Sequence, residues 1–112
     1  MTWDEFVKIA CELPEVVEES SYGRPALKVR GKFMAGHNIK EKAFVLRLDS
    51  VETQAFLIEM APAIYFITPH YKDYPAVLAR PGKLGKKEAR GRLEQAWRIQ
   101  APKTLQKKYD AQ

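Results

Sequence analysis

The sequence has little of what secreted and membrane proteins require. Its only cysteine, Cys11, cannot close an intramolecular disulfide or share a metal ion with a second thiolate, so nothing indicates an oxidising compartment. The segment from Thr2 to Leu13 carries several charges, unlike a signal peptide, and no run of about 18 uninterrupted apolar residues is present. We therefore expect a cytoplasmic protein that does not bind a membrane.

Catalytic and metal-binding motifs are equally scarce. The chain has no Gly-x-Ser-x-Gly motif, phosphate-binding loop or dinucleotide fingerprint. Adjacent Glu18 and Glu19 would project from opposite faces of a strand, so they could not cooperate as an acid and a base. His37 and His70 are distant in sequence, and neither has a second histidine one helical turn away. We expect a protein without catalytic activity, metal ion or other cofactor.

The composition is typical of one small folded domain, which we assign to residues 1–112. A chain of 112 residues with 46% hydrophobic and 29% charged residues suits one globular core. The net charge of +5 is uneven, because residues 1–69 hold 8 basic and 10 acidic side chains, whereas residues 70–112 hold 11 and 4. This basic final part can attract nucleic acid, anionic lipid or an acidic protein, or it can simply keep the domain soluble.

Capping signals and apolar spacing predict the helices. Thr2 and Glu5 form a capping box at the start of the first helix, and Ser50 caps the second. Cys11 lies off the apolar stripe of the first helix, and we expect it to be a partly buried apolar residue. The predicted helices span residues 2–13, 50–60 and 86–101, and a final helical turn covers residues 102–109.

Between the first two helices, short alternating segments separated by glycines predict a meander of antiparallel strands. A tight turn is expected at residues 31–32. Phe44 and Leu46 would face the helices and Arg47 the opposite side, and Lys28 and Arg30 alternate in the same way. We therefore expect a basic open face on the sheet. Two further strands are predicted at residues 64–67 and 76–80, which makes the fold α+β, an antiparallel sheet backed by helices on one face.

Several segments resemble a known family. Residues 21–33 contain a Tyr-Gly-x-Pro turn that leads into a Leu-Lys-Val strand, and residues 66–75 contain Thr-Pro-His-Tyr followed by Tyr-Pro. Together with Ala-Trp at 96–97 and Ala-Pro-Lys at 101–103, they resemble the MmcQ/YjbR family of small bacterial proteins. The resemblance implies a two-layer CyaY-like, or double-wing, fold for which DNA binding has been proposed on structural grounds. It implies no catalytic residues.

Residues 81–92 depart from the pattern of that family, which usually has an acidic, leucine-rich run there. This chain instead has glycines and basic residues. Gly91 inside a helix costs about 1 kcal/mol relative to alanine. We therefore expect the last long helix to begin late or to have a loose first turn.

The residues expected to contact DNA or RNA are basic side chains on the sheet and around the last long helix. Each one that neutralises a phosphate releases counterions, so binding would weaken steeply with salt. No helix-turn-helix, zinc-finger, RRM or KH signature is present, so binding would tolerate many sequences. The candidates are Lys28, Arg30, Arg47, Lys72, Arg80, Lys83, Lys86, Lys87, Arg90 and Arg92.

The connection 68–75, called the aromatic loop below, supports an alternative. Its rings, His70, Tyr71 and Tyr74, could stack on unpaired bases or anchor a protein partner. In the alternative, the protein is an interaction module that uses this loop, and its basic residues only keep it soluble. Salt distinguishes the two functions, because a tyrosine-centred protein interface responds little to ionic strength.

Overall fold

The computed structural model describes all 112 residues, which form helices and strands in the order expected from the sequence. The helices are α1 (Trp3–Ala10), α2 (Val51–Met60), α3 (Lys86–Gln100) and α4 (Lys103–Asp110). The strands are β1 (Val16–Ser21), β2 (Arg24–Val29), β3 (Lys32–Asn38), β4 (Ala43–Arg47), β5 (Tyr65–Phe66) and β6 (Ala76–Ala79). A 3₁₀ turn, Pro69–Tyr71, lies between β5 and β6. None of the helices combines the length and apolar character needed to cross a membrane.

All six strands pair antiparallel in one sheet, in the order β1-β2-β3-β4-β6-β5. The α+β architecture predicted from the sequence is therefore confirmed. Tyr22–Gly23 and Arg30–Gly31 form the first two hairpin turns, and all four residues have positive φ, as two-residue hairpins of this kind require. The second turn lies one residue earlier than predicted, because Lys32 already pairs with Val29.

Helices α1 and α3 cover one face of the sheet and enclose the main core. The predicted capping box is present: Glu5 N–H donates to Thr2 Oγ1 at 3.1 Å, and Thr2 N–H donates to Glu5 Oε1 at 2.8 Å. Trp97 is fully buried in this core, and its Nε1–H donates to the Pro14 carbonyl at 2.9 Å. The Tyr109 ring of α4 packs edge-on against Trp97, which fixes α4 to the helix layer.

The start of α3 is tied to the sheet. The Tyr65 hydroxyl donates to Glu88 in the first turn of the helix. Burial of the phenol, followed by this hydrogen bond, raises the pKa of Tyr65, so the hydroxyl keeps its proton. The helix begins at Lys86 and continues through Gly91. The expectation of a late or loose start is therefore wrong.

The end of α1 also differs from the prediction. The helix stops at Ala10, and the residues that follow form turns that still bury Leu13. Cys11 is the residue that caps the helix C-terminus, and it is exposed rather than partly buried. Its exposure follows from its position off the apolar stripe at a point where the chain leaves the helix.

The sheet face opposite α1 and α3 is not open as expected. The aromatic loop crosses it, and Tyr71 packs with Ala43, Val45, Ala76 and Leu78 in a second, smaller core. These strand positions are apolar on both faces, so both faces of β4 and β6 need a cover. The prediction of a basic open face is wrong because apolar side chains and the loop occupy it.

Candidate functional site

One buried side chain of α2 fixes the aromatic loop in place. Gln54 Nε2 donates to the carbonyls of Tyr71 at 3.0 Å, Tyr74 at 2.9 Å and Ala76 at 2.7 Å. The carbonyls of Tyr71 and Tyr74 lie outside the paired strands, and that of Ala76 lies at the start of β6. The loop is therefore held as a defined wall.

This wall faces the β1–β2 hairpin across a groove of about 640 Å³. Tyr22, Arg24 and Pro25 line the hairpin side, whereas His70 and Tyr74 line the loop side. The two segments that resemble family motifs, Tyr-Gly-x-Pro and Thr-Pro-His-Tyr, thus meet across one groove although they are distant in sequence. No pattern within either segment indicates that they come together.

Gly36 shapes the floor of the groove. A Cβ atom at this position would lie 3.0 Å from Phe33 Cε2 and 3.1 Å from Phe33 Cζ, closer than ordinary contact. A register shift between Leu27 and Lys28 inserts an extra residue into β3 and alters which side chains face the groove. Glycine at 36 therefore lets the Phe33 ring lie flat against the strand.

Tyr22 is the most exposed large side chain at the groove. Its relative exposure is 103%, and its φ is 52°, in the left-handed region. Bulky residues adopt this region at a cost that glycine avoids and asparagine lowers. The ring contributes nothing to the core, so contact with a ligand or partner explains a tyrosine here better than folding does.

A buried polar pair lies at one end of the groove. Asn38 Nδ2 donates to Tyr71 Oη at 3.1 Å, and Asn38 Oδ1 accepts from Glu41 N–H at 3.1 Å. A smaller cavity of about 390 Å³ continues past this pair. Both cavities are lined by Asn38, Tyr71, Arg24 and His70.

The burial of Tyr71 corrects one prediction. The 3₁₀ turn directs its ring into the smaller core, where it is 8% exposed, so it cannot offer a face for stacking. His70 and Tyr74, the other two rings of the aromatic loop, are exposed. Stacking on this wall is therefore limited to those two.

Exposed cations that the sequence did not single out surround the groove. Arg24 begins β2, while Lys40 and Lys42 lie in the turn between β3 and β4. The antiparallel register places the start of β2 and the β3–β4 turn at the same end of the sheet. All three are exposed and belong to none of the salt bridges. They were missed because they lie in the acidic half of the chain, and the only signal was Arg24 inside the Tyr-Gly-x-Pro turn.

The basic residues predicted for the sheet are bound to other groups of the protein. Lys28 Nζ lies 3.8 Å from Glu19, and Arg47 donates to a carbonyl of the aromatic loop at 3.1 Å. Arg30 lies in the β2–β3 turn, and its Nη2 donates to Glu15 at 3.0 Å. The hydrogen bond from Arg30 lowers the pKa of Glu15, so the pair is charged at neutral pH. Each of these three cations therefore already has a partner.

Three of the predicted cations lie in connections on either side of β6. Lys72 is exposed next to Tyr74 on the aromatic loop. Arg80 and Lys83 follow β6 at the same sheet end as the β3–β4 turn. The Arg80 guanidinium lies 4.3 Å from the Phe66 ring centroid and donates to a nearby carbonyl, whereas Lys83 is exposed and in no salt bridge.

The remaining predicted cations lie on α3, in the layer on the other side of the sheet from the groove. Arg90 Nε is 3.4 Å from Glu12, and Arg92 Nε is 3.9 Å from Glu88. The structure therefore separates the basic residues into a groove set and a helix set. The helix set is Lys86, Lys87, Arg90 and Arg92.

The two histidine rings have different surroundings, although both residues line the groove. The His37 ring stacks on Trp3 of α1 at 5.1 Å between centroids, so it faces the helix layer. His70 lies on the aromatic loop on the opposite face. No three metal-ligating side chains cluster anywhere in the chain.

Comparison with known proteins places this groove inside a recognised family. A family model described as YjbR matches residues 11–99, which contain both walls of the groove. Uncharacterized proteins of Mycobacterium bovis and Mycobacterium tuberculosis are 30% identical over 118 residues, which cover 93% of this chain and 92% of each relative. No solved structure matches the chain. The resemblance to the MmcQ/YjbR proteins is thereby confirmed, and the chain belongs to the YjbR family.

Proposed function

We propose that this protein binds single-stranded nucleic acid with little sequence preference, and that the groove is the contact surface. One observation carries the proposal: exposed rings and cations without ion-pair partners line or flank the same groove. Tyr22 and Tyr74 supply the rings, and Arg24, Lys40 and Lys42 supply the cations. This combination is typical of surfaces that bind single strands. The proposal includes no catalytic step.

The rings favour a strand whose bases are unpaired. Tyr22 is free of protein contacts on its faces, and Tyr74 is about half exposed on the opposite wall. A base that stacks on such a ring contributes about 1 to 3 kcal/mol, and any base can do so. The floor between them is apolar at Phe33 and Val45. In a duplex the base faces are already stacked, so we expect single strands to bind more tightly than double strands.

The cations favour a polyanion. Arg24, Lys40 and Lys42 lie at one end of the groove, and Lys72 and Lys83 lie on neighbouring connections. If three to five phosphates are neutralised, raising the salt from 50 to 200 mM weakens single-strand binding by about 20- to 130-fold. Contacts to phosphate carry no sequence information, which agrees with tolerance of many sequences.

Fluorescence anisotropy of labelled single- and double-stranded oligonucleotides at three salt concentrations tests the proposal. We expect micromolar binding of single strands that falls with salt. Tyr22→Ala should weaken it about 5- to 150-fold, the equivalent of 1 to 3 kcal/mol, without changing stability. The absence of binding at low salt would refute the proposal.

A pair of triple variants with equal charge loss tests the location. Arg24, Lys40 and Lys42 changed to glutamine should remove most of the affinity and flatten its salt dependence. The matched control changes Lys86, Lys87 and Arg90 of α3 to glutamine and should retain most of the affinity. The reverse result would move the site to α3 and contradict the groove.

A protein partner bound through the aromatic loop is the second candidate. The observation in its favour is that Gln54 holds the loop rigid while Tyr74 remains exposed, which lowers the entropy cost of binding. Capture of a protein that is insensitive to salt and lost in Tyr74→Ala would support this function instead. For either function we place the protein in the cytoplasm, which agrees with the unpaired thiol of Cys11.

A further inference from the structure

The polar pair Asn38 and Tyr71 carries two hydrogens for which the protein supplies no acceptor. The N–H of Glu41 donates to Asn38 Oδ1, which fixes the orientation of the side-chain amide. Asn38 Nδ2 must therefore face Tyr71 Oη and donate to it. An amide nitrogen has two hydrogens and a phenol has one. One amide hydrogen and the phenol hydrogen consequently remain available.

The Asn38 and Tyr71 side chains are mostly buried, so few other groups can accept their available hydrogens. Asn38 is 6% exposed and Tyr71 is 8% exposed, and both line the two adjoining cavities. A donor that lines a cavity and has no acceptor in the protein can bond to an acceptor of a ligand held in that cavity. The pair is therefore built to receive an acceptor atom from a ligand in the groove.

The surroundings of the pair select an anionic acceptor. Arg24 and His70 line both cavities beside it, and Lys40 lines the smaller one. Glu41 is the only acidic side chain in either lining. This donor corner, defined as Asn38, Tyr71, Arg24 and His70, offers several N–H and O–H donors to one site. An acceptor-rich group with more than one negative charge matches it better than a neutral carbonyl.

We infer that the donor corner binds a phosphate monoester, so that the groove holds one nucleotide with a terminal phosphate. Such a phosphate has three strong acceptor oxygens and a charge of about −1.5 to −2 at pH 7. Its base would lie along the apolar floor near Tyr22 and Tyr74, in a cavity whose volume is within the usual range for small ligands. The inference rests on the proposed function, because it uses the same groove, and it adds a preference for terminal phosphate.

Chemical-shift titrations of the ¹⁵N-labelled protein with adenosine 5′-monophosphate, adenosine and inorganic phosphate test the inference. We expect the monophosphate to bind at least 10-fold more tightly than adenosine, and inorganic phosphate to shift the resonances of the donor corner. Tyr71→Phe keeps the buried ring and removes only the hydroxyl, so it should weaken binding of the monophosphate more than binding of adenosine and thereby reduce the preference. Arg24→Gln, at an exposed position, should do the same without altering the core.

Equal affinities for the monophosphate and adenosine would overturn the inference, as would an unchanged preference in both variants. Failure of this inference can be distinguished from failure of the proposed function. If oligonucleotides bind but a 5′-phosphate on them adds nothing, the donor corner is refuted and strand binding stands. If the monophosphate binds through Tyr71 but oligonucleotides do not bind, the groove is a site for single nucleotides and the proposed function is wrong.

Discussion

Gln54→Glu is the substitution that most sharply tests how the groove wall is held. The change preserves the size of the side chain but replaces the amide N–H donors with a carboxyl group. In the structure, these donors meet the carbonyls of Tyr71, Tyr74 and Ala76 at 2.7 to 3.0 Å. An ionised carboxylate would face three carbonyl oxygens in a buried site, where it has no compensating donor.

The cost can be derived from these contacts. The substitution removes both amide hydrogens, although the carbonyls of Tyr71 and Tyr74 each keep a backbone N–H donor. The buried carboxyl group meets carbonyl oxygens and no donor, and each polar group left unsatisfied costs about 1 to 3 kcal/mol. We expect a loss of about 3 kcal/mol or more in the free energy of unfolding, and a decrease of about 12 °C in Tm for a domain of this size. The total stability of small domains is about 5 to 15 kcal/mol, so the variant should remain folded.

The loss should depend on pH. Burial and the facing carbonyls raise the pKa of the new carboxyl in the folded state above its unfolded value of about 4.3. A protonated carboxyl keeps one O–H donor for the loop. Relative to the original protein, the variant should therefore be least impaired below the unfolded pKa and should lose stability as the pH rises through the folded pKa.

Urea unfolding at pH 4 and pH 8, followed by circular dichroism, measures both effects against the original protein at the same pH. Gln95→Glu is the matched control, because it makes the same chemical change at an exposed position of α3. The control should stay within about 0.5 kcal/mol of the original protein. A Gln54→Glu variant as stable as this control, or one equally impaired at both pH values, would refute the role assigned to the amide.

Two other substitutions test the groove floor and the helix layer. Gly36→Ala places a methyl group about 3.0 Å from the Phe33 ring, which must then shift into the groove. Oligonucleotide affinity measured by anisotropy should fall, and the free energy of unfolding should decrease by about 1 kcal/mol. Asp110→Asn removes one of the two carboxylate partners of Arg98, whose hydrogen bonds lower the pKa of Asp110. That stabilisation is present above the unfolded pKa and is lost as the pH falls, so the variant should be less stable at pH 7 and equal to the original at acidic pH by thermal unfolding.

These two predictions have separate controls. Gly82→Ala adds a methyl group in open space and should leave oligonucleotide affinity unchanged. If Gly36→Ala also binds normally, the Phe33 ring does not define the groove floor. For the ion pair, a stability difference between Asp110→Asn and the original protein that persists at pH 2 would show that the carboxylate charge is not its source.

The elements that could be predicted from sequence depend on interactions between near neighbours. The Thr2 and Glu5 capping box acts within one turn, and the Ser50 cap does the same at α2, where its Oγ accepts from the Thr53 N–H. The hairpins of β1 to β4 follow from alternation and from the turn glycines, of which Gly23 and Gly31 have positive φ. The order of elements in this sheet was therefore predictable, with turn and helix ends displaced by a few residues.

The groove could not be predicted in this way, because its parts come together only in the folded sheet. Gln54 is one of several polar residues in α2, and nothing nearby in sequence shows that loop carbonyls will cover it. Tyr71 is one of three rings in an irregular segment, so no periodicity indicates that it alone turns inward. Arg47 does point away from the helices as alternation predicts, but the loop that crosses that face accepts its hydrogen bond.

Mapping of the binding surface tests the central claim most directly. The ¹⁵N-labelled protein is titrated with a short single-stranded oligonucleotide at low salt, and the backbone amide shifts are assigned to residues. The account predicts that the largest shifts lie in residues 22–26, 36–45 and 68–74, on both walls and the floor of the groove. Shifts confined to residues 83–92 of the α3 approach, or no shifts at all, would contradict it.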